Sequence, residues 1–228
     1  MHRRAAFTII ELLVVVAIIA ILSTLAVSIY RKAHLSGLQT ECITNLRAIG
    51  SAISLYCGDH ENDFPRTAHT DESESWIYTL QPYLGNFDET RICPADPRGR
   101  ERRAAHGTSY VLNEYIAVPL TDPFGRIKES FAKRNSLPSL ERTIIVMTGA
   151  DGLDVGVSSD HTHSRNWRDW PTVLADIQPD RFHPGPAASD HTEGAANYLF
   201  ADGHVETLTA QWLKSEIDAG RNPARPPE

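Results

Sequence analysis

Histidine and aspartate crowd the C-terminal half of the chain, where Asp160, His161, His163, His183, Asp190, His191, Asp202 and His204 all fall. Imidazole nitrogens and carboxylates are the usual ligands of zinc and related transition metals. Read as an extended segment, Ser159-Asp160-His161-Thr162-His163 puts two imidazoles on one face. The candidate metal set is therefore Asp160, His161, His163, His191 and Asp202, and Asp151, Asp154 and Asp160 form a second, oxygen-only set suited to calcium. Neither set has the spacing of an established motif such as H-E-x-x-H or D-x-[DN]-x-[DN]-G. Both lie among proline and glycine, where surface turns are the commoner outcome, and Asp202-Gly203 reads first as a turn. No nucleophile elbow, P-loop or dinucleotide motif is present, and Ser-His-Asp sets can be drawn from any chain with 10 His. The expectation is no enzyme and no cofactor, with calcium or a transition metal as the open alternative.

A different chemistry attaches to Glu11. From Phe7 to Tyr30 the sequence FTIIELLVVVAIIAILSTLAVSIY holds 24 residues, neither glycine nor proline, and one charge, Glu11. About 20 apolar residues cross a bilayer, so the stretch is long enough to span. A carboxylate inside hydrocarbon costs about 2.5–3.5 kcal/mol on insertion scales, a cost that an ordinary anchor has no reason to accept. The run is too long for the apolar core of a secretory signal, and no A-x-A cleavage site follows it. Arg3 and Arg4 precede the span and Arg31 and Lys32 follow it, so charge alone leaves its orientation open.

The phrase Ala6-Phe7-Thr8-Ile9-Ile10-Glu11-Leu12-Leu13-Val14-Val15 resembles the N-terminal cleavage and methylation motif of type IV prepilins and type II secretion pseudopilins. The resemblance implies a leader of residues 1–6, cut by prepilin peptidase between Ala6 and Phe7, with methylation of the new Phe7 amine. Glu11 then becomes the fifth residue of the mature chain, one helical turn from that amine. It pairs with its own amine or with that of a neighbouring subunit, and the family implies the second arrangement, which sets axial register. Ala6 departs from the family's usual glycine, which bears on the speed of processing. A C-terminal phrase, Asn197-Tyr198-Leu199-Phe200-Ala201-Asp202-Gly203-His204-Val205, resembles the ending of many prepilin-like proteins, in which a histidine precedes Asp-Gly. Here His191 is separated from Asp202 by ten residues, one more than the family spacing. Asn62-Asp63-Phe64-Pro65, Ile92-Cys93-Pro94-Ala95-Asp96 and Ser109-Tyr110-Val111-Leu112-Asn113 resemble recurring stretches of one bacterial subgroup.

These residues need elements to position them. Leu35, Leu38, Cys42, Leu46, Ile49, Ile53 and Tyr56 recur at intervals of three and four, one face of an amphipathic helix. The reading is one helix from Phe7 to Cys57, softened at Gly37 and Gly50 and stopped at Gly58-Asp59, with residues 7–30 in the membrane, 31–57 as extension and 58–228 as the body. In the body, Trp76–Leu84 reads as a short helix and Thr143–Thr148 as a buried strand. Asn197–Ala201 and His204–Leu208 form a hairpin about a two-residue Asp202-Gly203 turn, pairing Phe200 with Val205 and Leu199 with Glu206. The fold class is α+β and pilin-like: a long N-terminal helix, membrane-spanning in its first half, on a small antiparallel sheet of four strands.

A net charge of −7 argues against a nucleic-acid partner. Arg98, Arg100, Arg102 and Arg103, interleaved with Pro97, Gly99 and Glu101, read as a solvated loop. Cys42, Cys57 and Cys93 match no zinc spacing and allow one disulfide, for which Cys57 with Cys93 is the expected pair. The function that follows is a structural subunit in a type IV pilus or a type II secretion pseudopilus, single-pass in the bacterial inner membrane with its body in the periplasm. Its partners are prepilin peptidase, other pilin or pseudopilin subunits and membrane lipid. A membrane-anchored metal-dependent hydrolase and a binding protein that never polymerises are the competing readings.

Overall fold

The computed structural model describes residues 9–67, 75–185 and 188–227. A single helix, α1, runs unbroken over Ile9–Asp59 and ends at the expected Gly58-Asp59 stop. Its last turn closes with the Asn62 amide donating to the Cys57 carbonyl at 2.9 Å, while Glu61 and Asn62 take positive φ of 51° and 66°. Left-handed residues of this kind return the chain and satisfy terminal carbonyls. The chain divides between Gly37 and Leu38 into two units.

In the second unit the helical stripe is buried through Cys42, Leu46, Ile49, Ala52, Ile53 and Cys57. Then come α2 (Trp76–Thr79), α3 (Phe87–Thr90), α4 (Gly99–Ala104), β1 (Tyr110–Leu112), α5 (Glu114–Ala117), β2 (Leu120–Thr121), β3 (Ile127–Glu129), β4 (Ile144–Thr148), α6 (Trp170–Asp176), β5 (Ala195–Phe200), β6 (Val205–Thr209) and α7 (Ala210–Asp218). The expected helix over 76–84 is two pieces, α2 and a 3₁₀ turn at Gln81–Tyr83.

Among the described residues the main sheet has four strands in the order β1-β4-β5-β6, every pair antiparallel. One face meets the second unit's part of α1: Tyr110 reaches Cys42, and the Asn197 amide donates to the Gln39 carbonyl at 3.3 Å. The other face carries Val111, Met147, Ala196, Tyr198 and Phe200 into a core with Trp170 and Val173 of α6 and Leu213 and Ile217 of α7. The sheet is thus the middle layer of three, which is why β4 is buried at every position and shows no alternation.

Three expectations need correction. The hairpin register is Leu199 with Val205 and Tyr198 with Glu206, one step from the expected pairing. The Phe200 amide donates to His204 O and the Gly203 amide to Phe200 O, both at 2.9 Å, so Ala201-Asp202-Gly203 is a three-residue connection. Gly203 supplies its closing left-handed residue at φ 99°. Gly50 is no soft point but a point of close approach to Leu199 and Gly203.

The arginine run is not a solvated loop. Arg102, 2% exposed, pairs with the buried Asp96 at 2.9 Å and donates to the carbonyls of Ala150 and Asp154, both at 2.9 Å. Asp96 also accepts from Ser109 Oγ at 2.6 Å and from the Arg98 amide at 2.8 Å, making it a fully hydrogen-bonded buried charge.

Candidate functional site

Every side chain from Ile9 to Tyr30 is exposed in the structure, including Ile10, Leu12, Leu13, Ile18, Ile19 and Leu22. Apolar residues on all sides of a helix exclude water as their native surroundings, since each buried aliphatic side chain gains about 1.5–3 kcal/mol. These 22 residues give about 33 Å of helix against a hydrocarbon core of about 30 Å. The helix is long and apolar enough to cross a membrane. Its hydroxyls turn inward on the backbone, with Thr24 Oγ1 donating to Ile21 O and Ser28 Oγ to Leu25 O, both at 2.8 Å. Such back-bonding removes the cost of carrying a hydroxyl through hydrocarbon.

Glu11 lies in the first turn of α1. Ala6 and Phe7, the expected processing residues, lie outside the described residues.

The histidines and aspartates of the C-terminal half fall largely into carboxylate–imidazole pairs, two of which adjoin through His161 and His163, whose ring centroids are 5.3 Å apart. Asp160 is fully buried, accepts from Ser75 Oγ at 2.6 Å and meets His161 Nδ1 at 3.1 Å. The carboxylate bonds both the hydroxyl and the imidazole, an order that differs from the serine-to-imidazole-to-carboxylate chain of a nucleophilic triad. The Asp160 carbonyl accepts from Trp76 Nε1 at 2.7 Å and from the Leu112 amide at 2.9 Å, and Thr162 N returns to Leu112 O, laying this segment along the outer edge of β1. His163 turns to Asp176, which also accepts from Trp167 Nε1 at 2.7 Å. His191, at φ 54°, pairs with Asp180 at 2.9 Å. Asp202 accepts from the amide and the ring of His204 in the hairpin turn.

Among the described residues no group of three or more His, Cys, Asp or Glu side chains converges as a metal site. Of the candidate set, Asp160, His161 and His163 lie side by side, the two imidazoles with ring centroids 5.3 Å apart as expected of one face, while His191 pairs with Asp180 and Asp202 with His204. The calcium set is dispersed, with Asp151 ion-paired to Arg181 at 2.7 Å and Asp154 accepting from Ser158 at 3.1 Å. The expected pairing of Cys57 with Cys93 fails on geometry. Cys93 lies in hydrogen-bond reach of Cys42, whereas Cys57 is fifteen residues further along α1, a rise of about 22 Å.

Two polar centres were missed as such. Asp96 is one; the other is the fully buried Asn113, which donates to Ile144 O at 2.7 Å and Ala224 O at 2.6 Å, accepts from Ser164 Oγ at 3.1 Å and caps α5. Both end phrases already singled out in the sequence, Ile92–Asp96 and Ser109–Asn113. A polar residue closing an otherwise apolar phrase was the signal that would have found them.

Residues 1–27 match the family model of the prokaryotic N-terminal methylation motif, the signature of type IV prepilins. No curated protein and no solved structure matches the chain.

Proposed function

We propose that this chain is the precursor of a structural subunit, cut before Phe7 by prepilin peptidase, methylated on the new amine, and assembled through its N-terminal helix into a type IV pilus or a type II secretion pseudopilus. The observation that supports the reading is the match of residues 1–27 to the methylation motif, continuous with a helix whose apolar side chains are exposed on every side. Proteins with this motif are structural rather than catalytic. Before assembly the helix resides in the inner membrane, with the leader in the cytoplasm and the body in the periplasm. On entry into a filament, helices of neighbouring subunits replace lipid.

Glu11 is the register device of that assembly. Cleavage creates a cationic amine at Phe7, one turn before the carboxylate, and the Phe7 amine of one subunit meets Glu11 of the next. Both charges then enter the filament core neutralised, and an axial slip separates them.

The intact mass of the membrane-extracted protein tests the processing step. Loss of MHRRAA with one added methyl is expected, and an intact leader in cells with active prepilin peptidase refutes it. Co-expression of Glu11→Val with wild type tests the register. The variant is expected to insert and be cut but to stay out of filaments; its free incorporation ends the register role.

A further inference from the structure

The three cysteines are all buried, yet they are not equivalent. Cys42 projects from α1 at 0% exposure and Cys93 from the loop before α4 at 1%. The two thiols lie within hydrogen-bond reach of each other, and the buried Tyr110 hydroxyl donates to Cys42 Sγ at 3.6 Å. The loop carrying Cys93 is held against the helix independently of sulfur. Asn45 Nδ2 donates to Ile92 O at 3.2 Å, and Asp96, three residues on, is locked to Arg102 and Ser109.

We propose that Cys42 and Cys93 form a disulfide in the mature protein, joining the outer part of α1 to the body, and that Cys57 remains a free thiol. A disulfide needs two β-carbons facing each other across a short gap, and the Asn45–Ile92 hydrogen bond, three residues past Cys42 on α1 and one residue before Cys93, brings the two buried cysteines together on fixed elements. Cys57 has no such partner, and its elevation along α1 keeps it from Cys93. The bond closes a loop over 51 residue steps, from position 42 to position 93, which removes freedom chiefly from the unfolded chain.

One of the two thiolates displaces one sulfur of an oxidising protein disulfide to form a mixed disulfide. The thiolate of the other cysteine next attacks the first one's Sγ and releases the oxidant as a dithiol. Two protons leave the cysteines and two electrons pass to the oxidant. Both sulfurs are inaccessible in the folded body, so the exchange occurs before α1 and the 92–99 segment close on each other.

The inference rests on the proposed periplasmic location of the body, because that compartment maintains disulfides. The test is peptide mapping of the full-length chain, acid-quenched in cells, alkylated under denaturing conditions and digested without reduction. The expected result is a peptide pair joining Cys42 to Cys93, alkylated Cys57, and a chain about 2 Da lighter than its reduced form. The difference should survive Cys57→Ser and vanish in Cys42→Ser and in Cys93→Ser. A bridge that includes Cys57 overturns the inference. So do free Cys42 and Cys93 both in cells and after refolding of the purified chain with oxidised glutathione. Thiols free in cells but bridged on that refolding uphold the pairing and refute the location.

Discussion

A β-carbon added to Gly50 would stand 2.8 Å from Cδ1 of Leu199, so α1 approaches β5 at a distance that any larger residue could keep only by displacing that side chain. Leu199 is fully buried, so its side chain must shift within the core to admit that carbon. Gly50→Ala gains roughly 1 kcal/mol of helix propensity but incurs about 1–3 kcal/mol of overpacking. The expected outcome is a net loss of about 1 kcal/mol in denaturant unfolding of the detergent-solubilised chain, partly recovered by Leu199→Val. Gly37→Ala, with nothing within 4 Å of the added carbon, should be neutral or stabilising, and similar losses at both positions would contradict the close-packing argument.

Arg102→Met leaves the Asp96 carboxylate buried without its cation. Breaking one side of a buried pair costs about 3–5 kcal/mol, and removing both partners costs less than the sum. Arg102→Met should therefore lower the unfolding midpoint sharply, and Asp96→Asn in the same chain should recover part of the loss. Strict additivity would show that the two side chains act independently.

Burial pushes the Cys57 thiol up to about 11 from an ordinary value of 9.0. The folded state thus holds the proton more tightly than the unfolded chain. The resulting stability is complete below pH 9 and is lost as pH rises from 9 towards 11. Unfolding midpoints compared at both ends of that window should fall more in wild type than in Cys57→Ala. Equal falls would assign the alkaline sensitivity to other groups.

Ala6 stands where the methylation motif usually has glycine. One methyl group in a narrow pocket is worth about 1 kcal/mol or more, so Ala6→Gly should speed leader removal roughly tenfold. Pulse-chase of precursor and mature chains measures this directly, and unchanged kinetics would mean that the peptidase pocket tolerates both residues equally.

What the sequence disclosed, and what it hid, follows the range of the interactions. The apolar span, the stripe from Cys42 to Ile53 and the buried β4 were legible because their cause is local periodicity. The methylation motif at residues 1–27 was legible because it is written in contiguous residues. The hairpin was visible in Asp202-Gly203, but its register was not, since a two-residue and a three-residue loop both use glycine at positive φ. Only the Phe200 to His204 hydrogen bond separates them. Arg102 looked like surface because its partners include carbonyls at 150 and 154, far along the chain. The His and Asp residues resembled a ligand set for the converse reason. Nearness in sequence suggested a cluster, and the fold gave His161, His163, His191 and His204 each a different carboxylate.

The segment 160–162 that runs along β1 has a further effect. A sheet whose outermost strand shows bare amides and carbonyls recruits strands from other molecules. Here one margin is occupied by the chain's own backbone, and the opposite margin, β6, is five residues long and carries the exposed Glu206. Bodies of this kind brought close together would therefore resist edge-to-edge strand pairing of the sort that seeds amyloid.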